Sequence, residues 1–187
     1  MLHTGRVALL PDRLDAGEIE LQREHSDMAD AIYEASIASF NELHQWMIWA
    51  SERPTREGVL EFLTAAQTLF DEDRDWNYAL VEKASGDIVG SSGMHIHDDP
   101  GCPEIGYWVR TDRTGRGYAT SAASAIADAA FQYLPVQRVK IRMDEANVAS
   151  ASVPPKIGFR LLAIEDRPLE TPGHTGRGFI WVRDRAT

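Results

Sequence analysis

The chain has 187 residues, of which 43% are hydrophobic and 26% are charged, so length and composition suit one globular domain with an ordinary core. Aspartate plus glutamate (29) outnumber lysine plus arginine (19), and the formal net charge of −10 argues against a general nucleic-acid binder and favours a cationic or amine ligand. The single cysteine excludes an internal disulfide framework. Because no secretory signal or membrane-length apolar run is evident, we expect a cytoplasmic protein with neither a membrane nor a nucleic acid as partner.

The first part of the chain predicts one strand followed by helices. Residues 1–17 contain Pro and Gly and are interpreted as an extended N-terminal lead-in, which leaves residues 18–187 as a single domain. Polar and apolar residues alternate over 18–23 and predict a half-buried strand. Ser26 is expected to cap a first helix, a short tryptophan-bearing helix follows, and another helix is predicted to start near Thr55.

From Trp76 onward the hydrophobic period changes to two, which is typical of strands. An Ala-rich helix is expected over 118–133, and a short or bent helix over 148–157, where Pro154 and Pro155 remove backbone donors. The resulting order is neither a regular βαβ alternation nor an all-β pattern. The predicted strands are 76–83, 87–94, 104–110, 138–143, 159–165 and 179–184.

The turn between the strand at 104–110 and the helix at 118–133 carries the strongest functional signal. Gly115 and Gly117 let the backbone approach a ligand, and the free N–H groups of the following helical turn point into the same space. Nearby arginines add positive charge in an acidic chain. The sequence therefore predicts a phosphate or pyrophosphate site, with a plain turn bearing solvated arginines as the alternative. The arginines are Arg110, Arg113 and Arg116.

Three kinds of phosphate site compete as interpretations of this turn. A P-loop requires Gly-Lys-Ser/Thr at the start of the helix, which is absent. A dinucleotide fingerprint requires a third glycine where Thr120 stands and usually opens the first βαβ unit. The third is the pyrophosphate site of an acyl-CoA.

Two segments resemble the GNAT family of N-acetyltransferases, and specifically the branch that acetylates the N-termini of ribosomal proteins. Residues 104–131 are similar to the acetyl-CoA motif, whose pattern Gln/Arg-x-x-Gly-x-Gly/Ala falls on Thr114, Gly117 and Ala119, with a departure at the first position. Residues 147–159 resemble the segment Asn-x-x-Ser-x-x-Val-Pro-x-Lys-Leu-Gly-Phe. The tryptophan-rich stretch 41–49 is a weaker likeness, and the resemblance as a whole runs from about residue 18 to 183.

The resemblance implies a mixed α+β GNAT fold. Its central sheet would be mostly antiparallel, have about seven strands flanked by helices, and be splayed between the fourth and fifth, where the pantetheine of acetyl-CoA lies. It implies cofactor contacts along the strand at 104–110, in the glycine-rich turn and in the second motif. These residues are Trp108, Val109, Arg110, Thr114, Gly115, Arg116, Gly117, Tyr118, Ala119, Thr120, Asn147, Ser150, Ser152 and Lys156.

The reaction that the resemblance implies is direct acetyl transfer to a neutral primary amine, so the amine needs a base and the thiolate an acid. Glu104 is expected as the base, directly or through water, against the alternative of a solvated strand-end carboxylate. Many relatives have a tyrosine acid where this chain has Pro154, so Ser150 is the expected substitute, against a plain packing role. A backbone N–H near Val109 is expected to stabilise the carbonyl oxygen.

Aromatic residues and one histidine are the expected acceptor contacts, although large aromatics at helical spacing more often form core. His95, His97 and Asp98 resemble a metal cluster but offer no fourth partner, so no metal is expected. Cys102 is interpreted as a loop residue, and residues 175–178 as a turn that precedes a strand. The expected acceptor contacts are Trp46, Trp49, Trp76 and His95.

The resemblance predicts an acetyl-CoA-dependent N-acetyltransferase that acts on the N-terminal α-amine of a protein or peptide. A small-molecule amine, such as an antibiotic or polyamine, is the alternative acceptor. A non-catalytic acyl-CoA-binding module is the alternative from another class. The oligomeric state stays open, and a homodimer is the candidate because relatives are often dimers.

Overall fold

A computed structural model describes residues 9–97 and 99–186. Within them eight strands form one sheet in the order β1-β2-β3-β4-β5-β6-β8-β7. The strands are β1 (Arg13–Ala16), β2 (Ile19–Arg23), β3 (Asp75–Glu82), β4 (Ile88–His95), β5 (Glu104–Val109), β6 (Arg138–Asp144), β7 (Arg160–Asp166) and β8 (Arg177–Asp184). The helices are α1 (Ala29–Ala38), α2 (Phe40–Trp46), α3 (Arg56–Asp71), α4 (Tyr118–Tyr133) and α5 (Val148–Ala151). Single 3₁₀ turns cover 26–28, 48–50, 111–113 and 154–157.

The sheet confirms the expected mostly antiparallel, mixed architecture flanked by helices. Every pair of neighbouring strands is antiparallel except β5 and β6, which are parallel. The expected count of about seven strands is corrected to eight, because residues 13–16 of the lead-in pair with β2. Residues 1–8 of that lead-in lie outside the described part of the chain.

Two helix predictions need correction. Ser26 does not cap α1: it opens a 3₁₀ turn whose preceding residue is His25, and no side-chain cap bond is made there. The segment 148–157 is not one helix but α5 followed by a 3₁₀ turn that starts at Pro154. Proline has no N–H to donate into a continuing helix, which is the physical reason for the break.

The helices cover both faces of the sheet. On one face, α4 buries mainly alanines, which let the helix lie close to β-strand side chains such as Tyr78 and Ile105. On the other face, Leu63 of α3 and Ile32 of α1 pack on Ala79. The predicted start of α3 near Thr55 is confirmed, and the Thr55 side chain caps this helix by accepting a hydrogen bond from Gly58 N at 3.0 Å. None of the described helices is long and apolar enough to cross a bilayer.

Candidate functional site

The sheet opens between β5 and β6. Among the described residues these parallel strands share one register pair, Glu104 with Lys140, and then separate. A cavity of about 870 Å³ occupies this region and is lined by both strands, by α5 and by the segment between α2 and α3. The predicted splay between the fourth and fifth expected strands is therefore confirmed, and it leaves main-chain groups of β5 without a strand partner.

Strand alternation decides which groups of β5 face this opening. Arg110 N donates to Val89 O at 2.8 Å, so its N–H belongs to the β4 side. Because backbone groups alternate along a strand, those of Trp108 also face β4, whereas those of Tyr107 and Val109 face the opening. The expectation that Trp108 and Arg110 offer backbone groups to pantetheine is thus corrected, while Val109 keeps that place.

The glycine-rich turn joins β5 to α4 as expected. Gly115 and Gly117 have φ values of 77° and 82°, in the left-handed region that favours glycine. No hydrogen bond to a described residue is found for the backbone N–H groups of 115–120, which are the last three residues of the turn and the first three of the sixteen-residue helix α4. Successive free N–H groups at the positive end of a helix dipole form a site for an anion such as pyrophosphate.

The arginines around this turn do not act as free charges. Arg110 forms two hydrogen bonds with Asp112, at 2.7 and 2.8 Å. Arg116 donates to the buried Glu82 at 3.0 Å, and Arg113 lies 3.8 Å from the same carboxylate. An anion held at this turn would therefore depend on backbone donors more than on net side-chain charge, which the sequence did not reveal.

The Glu82 carboxylate contacts three residues at or next to the glycine-rich turn, namely Arg113, Arg116 and Tyr118. The Tyr118 hydroxyl donates to its Oε1 at 2.6 Å, and this hydrogen bond, together with one from Ser85 and the nearby Arg113 and Arg116, holds the pKa of Glu82 below its usual value. Tyr118 is thus an anchor for the first residue of α4. The Thr114 hydroxyl is also used locally, donating to Thr111 O at 2.9 Å.

A polar row crosses the sheet on the cavity side. Asp75, His95 and Glu104 are direct cross-strand neighbours on β3, β4 and β5. His95 Nδ1 lies 2.6 Å from Asp75 Oδ1. Burial lowers the pKa of His95, but the adjacent carboxylates of Asp75, Glu104 and Glu24 more than offset this and raise it above its usual value.

Glu104, the expected base, lines the cavity at the closed end of the splay. Its Oε2 accepts a hydrogen bond from Arg142 Nε at 2.6 Å, and His97 Nε2 lies 3.9 Å away. The carboxylate is thus held in an ion pair with β6 and is not simply solvated.

Glu24 is a cavity residue that the sequence patterns did not indicate. It directly follows β2, and it is 2% exposed. Ser91 Oγ donates to its Oε1 at 2.7 Å, whereas Oε2 has no hydrogen-bond partner in the described part of the chain. Burial raises the pKa of this carboxyl to about 7. A polar residue after an alternating strand gives no local signal of this kind.

Tyr107 is the second site residue that the sequence patterns did not indicate. Its hydroxyl donates to Ser150 O at 3.1 Å and accepts from Ser150 Oγ at 3.2 Å. Burial raises the pKa of Tyr107 to about 12. Pro154 stands where many relatives have a tyrosine, and Tyr107 of β5 brings a phenol to the same cavity. Only the contact between β5 and α5 in the folded chain reveals this.

The structure brings two residues of the second motif to the cavity. Asn147 and Ser150 line it, and Asn147 Oδ1 also caps α5 by accepting from Ser150 N at 3.1 Å. Ser152 is exposed and its hydroxyl donates to Ala149 O at 2.8 Å. Ser152 and Lys156 do not line this cavity, nor does the glycine-rich turn. They stay predictions for the distal half of the cofactor.

The expected acceptor contacts divide into two groups. Trp46, Trp49 and His95 line the cavity, and the Trp49 ring lies 6.1 Å from that of Trp108. Trp76 is 1% exposed and packs in the core on the α4 face, so its placement in the acceptor pocket is corrected. Alternation along β3 explains this, because its neighbours Asp75 and Asn77 are the residues that face the cavity.

The remaining motifs have local explanations. His95 and His97 stack with ring centroids 6.1 Å apart, and Asp98 lies outside the described residues. No group of three or more metal-ligating side chains occurs in the described ranges. Burial raises the pKa of the Cys102 thiol, which disfavours the thiolate. Thr175 donates two hydrogen bonds to Asp144 just before β8, but Arg177 and Gly178, which were expected in the turn, are the first residues of that strand.

Comparison with known proteins identifies the family. Residues 19–160 match the model described as an acetyltransferase (GNAT) domain. The chain belongs to the GNAT acetyltransferase family, whose cofactor is acetyl-CoA, so the resemblance and the fold expected from it are confirmed.

Similarity to an individual curated protein covers less of the chain than the family match does. The putative ribosomal N-acetyltransferase YdaF of Bacillus subtilis (strain 168) is 35% identical over 75 residues, which cover 40% of this chain and 41% of that protein. The chain therefore matches less than half the length of this curated relative.

Solved structures show the same fold at low identity. RimL, a ribosomal L7/L12 alpha-N-protein acetyltransferase in complex with coenzyme A, superposes with a TM-score of 0.84 at 16% identity, covering 92% of this chain and 97% of that one. The microcin C7 self-immunity acetyltransferase MccE, in complex with acetyl-CoA and AMP, also has a TM-score of 0.84, at 18% identity over 96% and 99%.

Proposed function

We propose that this protein transfers the acetyl group of acetyl-CoA directly to a primary amine. Two observations together carry this proposal: the open β5–β6 splay, and six N–H groups without a described partner in the glycine-rich turn and the first turn of α4. The open strand edge suits an extended pantetheine arm, and the helix start suits a pyrophosphate. When bound, acetyl-CoA supplies an activated acetyl thioester.

The residues of this chain divide the binding task. The N–H groups of 115–120 would hold the diphosphate, and the backbone of Val109 and Tyr107 would pair with the pantetheine arm. The side-chain amide of Asn147 is free to donate to that arm, because only its oxygen is used in capping α5.

We propose the N-terminal α-amine of a protein or peptide as the acceptor. The names of YdaF, a putative ribosomal N-acetyltransferase, and RimL, an alpha-N-protein acetyltransferase, support this acceptor class. Two cavity-lining residues, Trp49 and Phe62, are 51% and 53% exposed, so the cavity reaches the surface and admits the end of a chain. An α-amine has a pKa of about 7.7–8.0, against roughly 10.4 for lysine, so it needs less help to become neutral.

Glu104 and Ser150 are the proposed catalytic side chains. Glu104 takes a proton from the amine nitrogen, directly or through water, and the Arg142 ion pair orients its carboxylate. The single hydroxyl proton of Ser150 points to Tyr107 Oη in the free protein, and it turns to donate to the leaving sulfur, while the Tyr107 hydroxyl stays bonded to Ser150 O. Side chains of these types at one cavity favour an enzyme over a non-catalytic CoA-binding module.

A small amine is the second candidate acceptor. The observation that favours it is the concentration of carboxyl groups at the inner wall of the cavity, namely Glu24, Asp75 and Glu104. Such a wall attracts a compact ammonium whatever it is attached to. The name of MccE, a self-immunity acetyltransferase, fits this alternative.

A matched peptide screen tests the acceptor. The purified chain and acetyl-CoA are incubated with peptides that start with Ser, Ala or Met, with the same peptides blocked at the α-amine but carrying one lysine, and with small diamines. Thiol release and product mass are recorded. Acetylation of the unblocked peptides alone supports the proposal, and acetylation of lysine or diamines alone rejects the α-amine.

A homodimer and a cytoplasmic location stay predictions. For the dimer, we propose the edge strand β7, which exposes Leu161, Leu162 and Ile164. An apolar edge strand is a ready surface for a second copy. Sedimentation of Leu162→Glu beside the wild type checks this, and equal masses for the two proteins reject the β7 surface.

A further inference from the structure

Glu24 is a deeply buried carboxyl group of the cavity, and nothing in the binding of acetyl-CoA accounts for it. It is 2% exposed, and one of its carboxyl oxygens lacks a hydrogen-bond partner among the described residues. A buried carboxylate with one unpaired oxygen destabilises the folded state. Such groups are concentrated at sites that bind a ligand or take part in a reaction.

The surroundings of Glu24 define what that ligand must be. Its backbone N–H donates to Asn77 O at 3.0 Å on β3, and Ser91 Oγ on β4 donates to Oε1. The charged groups that face it are His95 on β4, which favours its ionised form, and Asp75 on β3, which opposes it. The α1 residues that line the cavity beside it, Ile32 and Ser36, bring no charge.

The floor between the two carboxyl groups is made of glycine. Gly93 and Gly106 are direct cross-strand partners on β4 and β5, two positions along from the His95–Glu104 pair. A Cβ on Gly93 would lie 2.6 Å from Asn77 Oδ1, so a larger residue does not fit there. Glycine at position 93 thus accommodates the Asn77 side chain, and Gly93 and Gly106 line the same cavity as Glu24 and Glu104.

We propose that Glu24 binds the ammonium group of the acceptor and takes its first proton. This inference rests on the proposed amine acetylation and names a residue for its opening step. A compact cation would satisfy the unpaired oxygen and compensate the buried charge, whereas a neutral or anionic ligand would do neither.

The proton balance gives the two carboxyl groups separate tasks. An ammonium carries one proton too many to attack, and that proton passes to the Glu24 carboxylate. The freed lone pair forms the N–C bond, the C–S bond breaks, and the electron pair leaves with sulfur. The nitrogen then loses a second proton, which Glu104 accepts, while the thiolate accepts a hydrogen bond from Ser150 and takes its proton from solvent. Net release is one proton per amide formed.

A titration that needs no turnover tests the binding part. Glutamate carboxyl carbons are labelled with ¹³C, and the Glu24 signal is assigned by its loss in Glu24→Gln, or in Glu24→Asp should the first variant not fold. We expect it to titrate near pH 7 in the free protein. Added n-butylamine should lower that pKa, because the ammonium stabilises the carboxylate. A Glu24 signal that titrates identically with and without n-butylamine overturns the proposal.

The pH profile of kcat/KM tests the proton transfer. With n-butylamine or alanine amide as acceptor, kcat/KM of the wild type should rise as Glu24 ionises near pH 7. The reason is that ionised Glu24 can deprotonate the ammonium form, which is the abundant form of the amine at this pH. In Glu24→Gln only the neutral amine reacts, so the rise should move up to the amine's own pKa. Ser91→Ala removes a bond that lowers the Glu24 pKa and should shift the rise upward by a smaller amount.

Glu104→Gln is the matched carboxyl control. It should lower kcat while leaving the position of the rise unchanged. A rise that moves in Glu104→Gln and stays in place in Glu24→Gln assigns the first proton to Glu104 and overturns the proposal. Wild-type protein that acetylates no amine refutes the proposed function, and the carboxyl titration still decides whether Glu24 binds an ammonium.

Discussion

The Tyr107 hydroxyl and Ser150 exchange two hydrogen bonds: the phenol donates to Ser150 O at 3.1 Å and accepts from Ser150 Oγ at 3.2 Å. This contact joins β5 to α5 across the splay of the sheet. It places a buried phenol, whose pKa burial raises to about 12, beside the serine proposed to assist the leaving sulfur. Such a phenol stays protonated at neutral pH and is a hydrogen-bond donor rather than a strong acid.

Tyr107→Phe removes this donor and keeps the ring. We expect kcat to fall by about tenfold or more, because a donor near the reacting atoms typically contributes at that level or above. Ser150→Ala should have a similar effect, and the double variant should be no worse than Tyr107→Phe, since the two groups act as one unit. Tyr133→Phe, at the exposed end of α4, is the control. Fully additive losses in log kcat would contradict the shared role.

The glycine-rich turn predicts a selective loss of CoA binding. Millimolar CoA should raise the melting temperature of the wild type, because a ligand that binds only the folded state stabilises it. Gly117→Glu should abolish that shift by placing a side chain and a negative charge at the proposed diphosphate site.

Gly86→Glu is the matched control for this variant. Both glycines have a φ near 80° and open space where a Cβ atom would stand, so both substitutions carry a similar backbone cost of roughly 1–2 kcal/mol. Only the Gly117 variant should lose the CoA-induced shift, measured by thermal denaturation. Retention of the shift in that variant would reject the turn as the anion site.

Because Glu24 is a buried carboxyl group, replacing it with the neutral glutamine should change the free energy of unfolding by an amount that depends on pH. Its pKa is raised from 4.5 to about 7 in the folded state, so the stability contributed by its protonated form is complete below pH 4.5 and is lost as the pH rises to about 7. Glu24→Gln carries no such loss. The free energy of unfolding of Glu24→Gln minus that of the wild type should therefore be larger at pH 8 than at pH 4.5, by up to about 3 kcal/mol.

Urea unfolding of both proteins at several pH values measures this difference. Glu61→Gln, on the exposed side of α3, is the control and should show no comparable trend. A difference between Glu24→Gln and wild type that stays constant from pH 4.5 to 8 would show that Glu24 titrates normally.

The exposed Trp49 predicts a specific effect on the acceptor. It lines the cavity and contacts Trp108, yet it is 51% exposed. Trp49→Ala should raise KM for a peptide acceptor by about tenfold, which corresponds to ~1.4 kcal/mol of lost binding, and leave the CoA-induced thermal shift intact. Leu60→Ala changes a residue that is 44% exposed outside the cavity and should leave both quantities unchanged. Steady-state kinetics with varied peptide decides the matter, and an unaltered KM removes Trp49 from the acceptor site.

Sequence patterns predicted most of the elements because they are local. The period-two stretches became β3, β4 and β6 within one residue or so, and the Ala-rich segment became α4 with the same bounds. The start of α3 near Thr55 and the conformational freedom of the two glycines in the turn were also expected, since each depends on residues a few positions apart. The short pairing strand β1 was missed because its partner, β2, gives it the contacts that define it.

The sequence alone determined the family, the order of the elements and the segment that offers backbone donors to an anion, because glycine freedom, capping and hydrophobic period act over a few residues. Tertiary structure alone decided the chemistry of the inner wall. Glu24, Asp75 and Tyr107 become site residues through strand register and through the crossing of α5, which join positions as distant as 107 and 150, 43 residues apart. Strand register also placed the Trp76 side chain in the core, because the neighbours of a side chain across a sheet are set by how the strands align and not by its neighbours in the chain. Folding of the turn paired Arg116 with Glu82 and Arg110 with Asp112.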